Sequence, residues 1–329
     1  DVYKRQCDVI YKQLEPLLAN EKANSPLLES IYHSRSMLTK NSQWIIGGDG
    51  WAYDIGFGGL DHVLARGENV NIVVLDTEMY SNTGGQVSKS TPQSALVKFA
   101  TSGKSQAKKD LGQYAMGYEN VYVASCALGA DYAQTVAAFK EAEAYEGTSL
   151  LLCYSPCIDW GIDMSKMMEI QKMAVDCGYW PLYRYNPASL AQADPENPFS
   201  LDSKRIKSSL ATYLQNENRY ASLRRTNVER ADYLQGAFET STRKRMEKMQ
   251  RQSMDEEELL DLLKARVGEA TGEKVLVLYA SETGNTAEVA KMLAYELKRR
   301  DQRVSVMAMD DLDVQDLPNQ KVVINLAAT

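Results

Sequence analysis

Two stretches of this chain combine residue types suited to holding phosphate. The first opens with Gly48-Asp49-Gly50-Trp51 and resumes one apolar run later with Asp76-Thr77-Glu78-Met79-Tyr80-Ser81-Asn82-Thr83-Gly84-Gly85. The second is Ser281-Glu282-Thr283-Gly284-Asn285-Thr286, between an apolar run and a helical one. A diphosphate held through Mg²⁺ needs hard oxygen ligands in octahedral arrangement and backbone N–H groups near the phosphate oxygens. Asp49, flanked by Gly47, Gly48 and Gly50, offers a carboxylate where the backbone can approach a ligand closely. The Asp76-Thr77 end of the next strand brings further oxygens alongside. Gly-Asp-Gly alone is an ordinary turn. Paired with an Asn-containing, Gly-rich loop at a second strand end, it reads as a metal–diphosphate site. In the second stretch the Ser281, Thr283 and Thr286 hydroxyls, the Asn285 amide and free N–H groups at a helix start can surround a phosphate. The loop contains no lysine and is not a Walker A loop. The bland reading is a capped helix start, and four hydroxyl or amide residues around one glycine weigh against it.

The elements that must position these residues follow from periodicity. Trp44-Ile45-Ile46 and Asn71–Asp76 read as buried strands, with a helix from Ala52 to Ala65 between them. That order implies parallel pairing through a right-handed crossover. Further strands are predicted at Val121–Ala124 and Ser149–Tyr154, with a helix through 130–145. Residues 7–40 read as helical, with Leu14, Leu17, Leu18, Leu27, Leu28 and Ile31 as packing positions. The repeated alternation predicts an α/β domain over 1–187, with ligands at the carboxyl ends of its parallel strands. Residues 188–273 begin irregularly and become dense in Arg, Lys and Glu. They read as a charged, mostly helical, solvated connector. A second α/β unit starts at 274, with strands at Val275–Ala280, 303–307 and 321–326 and a helix through 286–300. Three parallel strands leave much apolar surface uncovered, so 274–329 is expected to be an incomplete domain.

Composition bounds the partners. The chain has 329 residues, 37 basic and 44 acidic, for a net charge of −7, which argues against a nucleic-acid partner. No apolar run approaches a membrane-spanning length. Five cysteines with no CxxC pair point to a reducing, intracellular compartment, cytoplasmic in preference to mitochondrial. The abrupt start without Met is expected to mean that residues are missing upstream, any targeting segment among them. His33 and His62 fall on helices and read as packing or surface residues.

The run from Gly48 to Ala65 and the run Asp76–Gln86 resemble the thiamine diphosphate domain of pyruvate:ferredoxin (flavodoxin) oxidoreductases. The resemblance continues through Gly103-Lys104, Lys108-Lys109-Asp110-Leu111, Gly178-Tyr179-Trp180-Pro181-Leu182 and Asn197-Pro198-Phe199. It implies that Asp49, Thr77 and the Met79 carbonyl ligate Mg²⁺. Gly48, Gly50, Trp51 and the loop Thr77, Glu78, Met79, Tyr80, Ser81 and Asn82 would line the diphosphate. Asn82 would approach the aminopyrimidine and the substrate, as the catalytic residue of this chain. Cys157 is by composition a buried small residue. By resemblance it is the distant fourth ligand of a [4Fe–4S] cluster whose other cysteines lie in upstream domains. The basic loop 104–109 meets an anionic cofactor such as coenzyme A or is simply solvated.

The Ser281–Thr286 loop resembles flavodoxins and the flavin domain of cytochrome P450 reductase-like proteins, which implies FMN. The loops that hold the flavin ring would follow residue 329. The order of thiamine domain, connector and flavodoxin-like domain resembles the fused pyruvate:NADP⁺ oxidoreductases. These are homodimers that use coenzyme A, iron–sulfur clusters, FMN, FAD and NADP⁺, the last two bound by downstream domains. The resemblance also implies that the groups contacting the pyrimidine ring from the other side and binding the pyruvate carboxylate belong to upstream domains, so the isolated chain is expected to be inactive. Two other classes stay open: a sulfite-reductase-type electron-transfer protein with a degenerate thiamine-like region, and a non-catalytic assembly module. Intact Asp49, Thr77 and Asn82 count against the first.

Overall fold

A computed structural model describes residues 2–21, 25–34, 37, 41–191, 197–255, 258–259, 274–280, 285–298, 303–312 and 322–327. It contains two compact units, 1–250 and 251–329.

The sheet of the first unit has the order β1-β2-β4-β3-β5-β6. Strands β1 (Trp44–Gly48), β2 (Asn71–Asp76), β3 (Tyr122–Cys126) and β4 (Ser149–Tyr154) are parallel. Two short strands, β5 (Tyr183–Tyr185) and β6 (Phe199–Leu201), extend the sheet antiparallel. β2 and β4 read as near-continuous apolar runs because both faces of the sheet are covered there. β1 was expected to be buried, but among the described residues it pairs only with β2, at the edge of the sheet, with Ile46 exposed. Beyond Asp49 the chain makes a π-helical turn, Gly50–Ile55, before the regular helix Phe57–Arg66. The helices Leu111–Met116, Tyr132–Ala144 and Met167–Asp176 complete the layers. At the amino end, helices Val2–Glu21 and Pro26–His33 have the expected helical spacing, but Leu14, Leu17, Leu27 and Ile31 are exposed rather than packed.

The high charge of residues 202–250 conceals a packed layer. Helices α7 (Leu210–Gln215), α8 (Asn218–Thr226) and α9 (Val228–Gln252) bury Leu210, Tyr213, Leu214, Tyr220, Leu223, Leu234, Phe238, Met246 and Met249 in the first unit. The reason is visible along α9, where Ala231, Leu234, Phe238, Thr242, Met246 and Met249 recur every three or four positions and form one buried stripe. A mean over composition averages this stripe away against the wet face. From 77 to 110 the chain runs without regular elements, held by bonds among buried Ser88, Ser90 and Thr91 and by the Ser94 N–H, which donates to the Lys104 carbonyl at 2.8 Å. A loop of this length inside a compact unit usually carries function.

The second unit has three parallel strands, β7 (Lys274–Ala280), β8 (Arg303–Ala308) and β9 (Val322–Ala327), in the order β8-β7-β9. One helix, α10 (Asn285–Lys298), packs Val289, Leu293 and Leu297 on Val275 and Val277. Among the described residues no helix is long and apolar enough to cross a membrane.

Packing of α9 is testable. Met246→Ala is expected to destabilise the first unit by about 2–5 kcal/mol. Substituting exposed Arg243 should change it by less than about 0.5 kcal/mol. Urea unfolding followed by tryptophan fluorescence reads this directly, because all four tryptophans belong to residues 1–250. Equal, small effects at both positions would return α9 to a solvated connector.

Candidate metal and diphosphate site

The register that places Gly48 beside Leu75 brings Asp49 and Asp76-Thr77 to one carboxyl edge of the sheet. There Asp49 Oδ1 accepts hydrogen bonds from the Thr77 hydroxyl at 2.9 Å and the Thr77 N–H at 3.1 Å. The Met79 carbonyl oxygen lies 3.2 Å from the same hydroxyl, and the Ser81 hydroxyl 3.4 Å from it. Asp49 Oδ2 accepts from Ser88 Oγ at 3.2 Å. The Thr77 hydroxyl thus touches both a carboxylate and a carbonyl oxygen. Neighbouring oxygens in an Mg²⁺ octahedron are about 2.9 Å apart, given Mg–O bonds near 2.05 Å. The observed spacings fit that donor set, which has the hard oxygens Mg²⁺ prefers.

Glycine is needed at Gly50, where a Cβ would lie 2.5 Å from the Tyr80 ring. The Tyr80 hydroxyl in turn donates to the Gly50 carbonyl at 3.2 Å, tying the two strand-end loops together. At Gly48 a Cβ would face open space, and the residue is exposed beside buried Asp49, as a phosphate-facing backbone requires. Trp51 is half-buried, and its ring abuts Gly47 and Gly56. Asn82 is exposed at the tip of a turn closed by Tyr80–Gln86 pairing, with Gly84 and Gly85 at φ +100° and +85°.

Asp76 plays a different part from Thr77. Its Oδ1 accepts from the Glu78 N–H and Ser90 Oγ, and its Oδ2 from the Tyr53 hydroxyl at 2.8 Å and Lys108 Nζ at 2.7 Å. With both oxygens occupied by protein donors, it supports the site from within. The Glu78 side chain, expected along the diphosphate, is instead fully buried. It pairs with Lys108 at 3.0 Å and Arg219 at 2.6 Å and accepts from the Tyr179 hydroxyl, leaving only its backbone in the loop. Arg219 also binds Glu217 at 2.6 Å. Four buried charges and the partly buried Lys108 therefore form one chain, Asp76–Lys108–Glu78–Arg219–Glu217, beside the oxygen cluster.

The electrostatics follow from this crowding. Burial and the Asp76 charge push Asp49 up to about 7. Burial works against ionisation of Glu78, but the Lys108 and Arg219 charges hold it below the usual carboxylate range. Glu217 is raised by burial, since it shares a single guanidinium with Glu78. Burial and the Lys108 charge lower Lys104 to about 8.

In the basic loop 104–109, Lys104 donates internally to the Thr91 and Ala107 carbonyls, and Lys108 is spent on Asp76 and Glu78. Neither is a free cation for an anionic cofactor. Cys157 is half-buried just past β4, which lies beside β2, so it shares the carboxyl edge with Asp49 and Thr77. The short turn after it carries Trp160, whose indole N–H donates to the Thr77 carbonyl at 2.9 Å. Burial pushes the Cys177 thiol up to about 12, which makes it a packing residue. His62 and His33 are exposed. In the second loop, Ser281, Glu282, Thr283 and Gly284 lie outside the described residues. Asn285 begins α10, and Thr286 is half-buried in its first turn.

Sequence reasoning missed Trp160, Glu217 and Arg219. Glu217 and Arg219 stand in a charge-rich run like any other, and nothing local marks two of its charges as internal.

The comparisons with known proteins divide the chain in the same way. Residues 36–153 match the family model of the thiamine pyrophosphate enzyme C-terminal TPP binding domain, and residues 277–329 match flavodoxin. The class is thus a thiamine pyrophosphate-binding domain followed by a flavodoxin-type one. The pyruvate dehydrogenase [NADP(+)], mitochondrial, of Euglena gracilis is 48% identical over 314 residues, covering 95% of this chain and 17% of its own length. The pyruvate dehydrogenase [NADP(+)] of Cryptosporidium parvum is 42% identical over 358 residues, covering 95% of the chain and 18% of itself. The pyruvate:ferredoxin oxidoreductase of Moorella thermoacetica is 54% identical over 221 residues, 67% of the chain and 19% of itself. The chain is similar to this group of pyruvate oxidoreductases and spans under a fifth of the length of these three relatives. The mitochondrial name of the Euglena relative gives the cytoplasmic expectation no support.

Without a cation the folded protein keeps a proton on Asp49 up to about pH 7, whereas the unfolded chain releases it near 3.8. Across that window the folded state binds more protons, so this group's contribution to stability falls as pH rises from about 4 to about 7. Asp49→Asn is expected to remove the fall. Thermal unfolding in a chelator at about pH 4.5 and about pH 8 checks it: the variant should gain Tm over wild type chiefly at the higher pH. An equal difference at both pH values would mean that Asp49 is ionised throughout.

Proposed function

We propose that the longer protein containing this chain decarboxylates pyruvate oxidatively, forming CO₂ and acetyl-coenzyme A, and delivers the electrons to NADP⁺. This chain would supply the Mg²⁺–diphosphate half of the thiamine site. One observation carries the reading: past the carboxyl ends of β1 and β2, the Thr77 hydroxyl lies near octahedral-edge spacing from both the Asp49 carboxylate and the Met79 carbonyl. When bound, thiamine diphosphate supplies an electron sink for loss of CO₂ from a 2-oxo acid. The protein residues position it. Asp49, Thr77 and the Met79 carbonyl would hold Mg²⁺, and Gly48, Gly50, Trp51 and the loop 77–82 would line the diphosphate. Exposed Asn82 stands where a ring or substrate held by another domain can meet it. Cys157, on the same edge, would be one ligand of a [4Fe–4S] cluster completed by cysteines of that longer protein. The loop 281–286 would take the FMN phosphate at the start of α10, with FAD and NADP⁺ bound further along and the assembly a homodimer.

A second reading keeps pyruvate as substrate and changes the acceptor to ferredoxin or flavodoxin. The extent of similarity favours NADP⁺. The two relatives named for NADP⁺ align over 95% of the chain, whereas the ferredoxin-named one aligns over 67%.

The intact polypeptide, prepared anaerobically, tests both readings. Coenzyme A-dependent pyruvate oxidation is followed with NADP⁺ alone and with a one-electron viologen dye. NADPH formation that falls to background in Asp49→Ala is the expected outcome. Dye reduction without NADPH would establish the second reading, and no reaction with either acceptor would reject both.

A further inference from the structure

We infer that Glu78 is a positioning residue for the divalent cation: its buried side chain holds the Thr77–Met79 turn so that the Met79 carbonyl faces Asp49 and Thr77. The inference rests on the metal–diphosphate reading and extends it to a side chain that would touch neither cation nor diphosphate.

Three observations carry it. Glu78 has φ +60°, a left-handed conformation that is disfavoured for a non-glycine residue and persists only where its surroundings enforce it. The surroundings do so at every polar atom of the residue. Its N–H donates to Asp76 Oδ1 at 3.0 Å, and its carbonyl accepts from Thr91 Oγ1 at 2.7 Å. Its carboxylate takes Lys108 on one oxygen, and Arg219 and Tyr179 on the other. The flanking residue is clamped as well: Trp160 donates to the Thr77 carbonyl, and the Arg219 guanidinium lies 4.0 Å from the Trp160 ring centroid.

The charges of the network supply the third observation. Among the described residues Asp76, Glu78 and Glu217 make their direct ion pairs with Lys108 and Arg219, three carboxylates to two cations, and Lys104 acts on Glu78 from farther off. Without Glu78 the remainder is two closed pairs, Asp76–Lys108 and Glu217–Arg219. The fold by itself would be served as well by a neutral residue here, and by glycine at this φ better still. An extra buried charge in a disfavoured backbone conformation marks a site where stability is given up to fix geometry. The geometry fixed is that of the carbonyl one residue on, 3.2 Å from the Thr77 hydroxyl.

The test uses the intact polypeptide, with Mn²⁺ as probe in the presence of thiamine diphosphate. Binding is read from loss of the free-ion EPR signal, and Tm of the metal-free protein is measured alongside. Glu78→Gly is expected to keep a metal-free Tm close to wild type while binding Mn²⁺ at least ~10-fold more weakly, the range typical of groups that orient metal ligands. Glu78→Gln keeps the length and an acceptor for the cations and should recover most of that affinity. Unchanged Mn²⁺ affinity in Glu78→Gly would overturn the inference. Should that variant not fold, Arg219→Lys decides, since it keeps the charge but cannot bridge both carboxylates: weaker Mn²⁺ binding at an unchanged Tm supports the inference, and unchanged affinity overturns it. If wild type takes up no Mn²⁺ with thiamine diphosphate, the metal–diphosphate reading itself has failed, a result separate from the behaviour of the variants.

Discussion

Carboxylates gathered at one edge of a sheet repel one another, and the structure of the first unit is organised around that repulsion. Asp49, Asp76 and Glu78 gather at one carboxyl edge and are all buried. Ionised groups withdrawn from water are tolerated only when opposite charges and hydrogen bonds surround them. Lys108 comes from the far end of the long loop and Arg219 from α8, each reaching the same cluster. Asp49 is the member left without a cation in direct contact, and burial, with the Asp76 charge beside it, pushes its carboxyl up to about 7.

This requirement explains why α7–α9 belong to the first unit. Arg219 could not lie under the site unless α8 were held against the core, and the buried stripe of α9, with Tyr213 and Leu214 of α7, provides that hold. The hydroxyls of Tyr179, Tyr213 and Tyr220 fill the same interior. They donate to or border the buried carboxylates while their rings pack with one another and with Phe238. A layer of one charged helix after another thus does two jobs: it covers apolar surface of the sheet and carries a counter-charge inward.

Much of this was legible in the sequence. The strands at 71–76 and 149–154 appear where their apolar runs stand, because a strand covered on both faces must be apolar throughout. Asp49, Thr77 and Met79 converge because the motif spacing places two loops at adjacent strand ends. The misreadings have specific causes. Trp44–Gly48 is as apolar as a central strand, and only the pairing pattern makes it an edge. Strands of three residues, such as Tyr183–Tyr185 and Phe199–Leu201, are too short for any periodicity to register. The solvated reading of 202–250 failed because bulk charge was weighed ahead of the three-and-four spacing of Leu234, Phe238, Thr242, Met246 and Met249.

The sequence by itself determined the local chemistry: oxygen donors between glycines at two strand ends, a run rich in hydroxyl and amide side chains at 281–286, and the alternation of strands and helices. These are properties of neighbouring residues and of repeat periods, which a linear chain displays. Only the tertiary structure decided which charges are internal. Glu78 and Arg219 are 141 positions apart, and Lys108 and Asp76 are 32 apart. Whether a glutamate lines a ligand or braces the turn that presents one depends on which distant cation reaches it, and that is settled by packing across the chain.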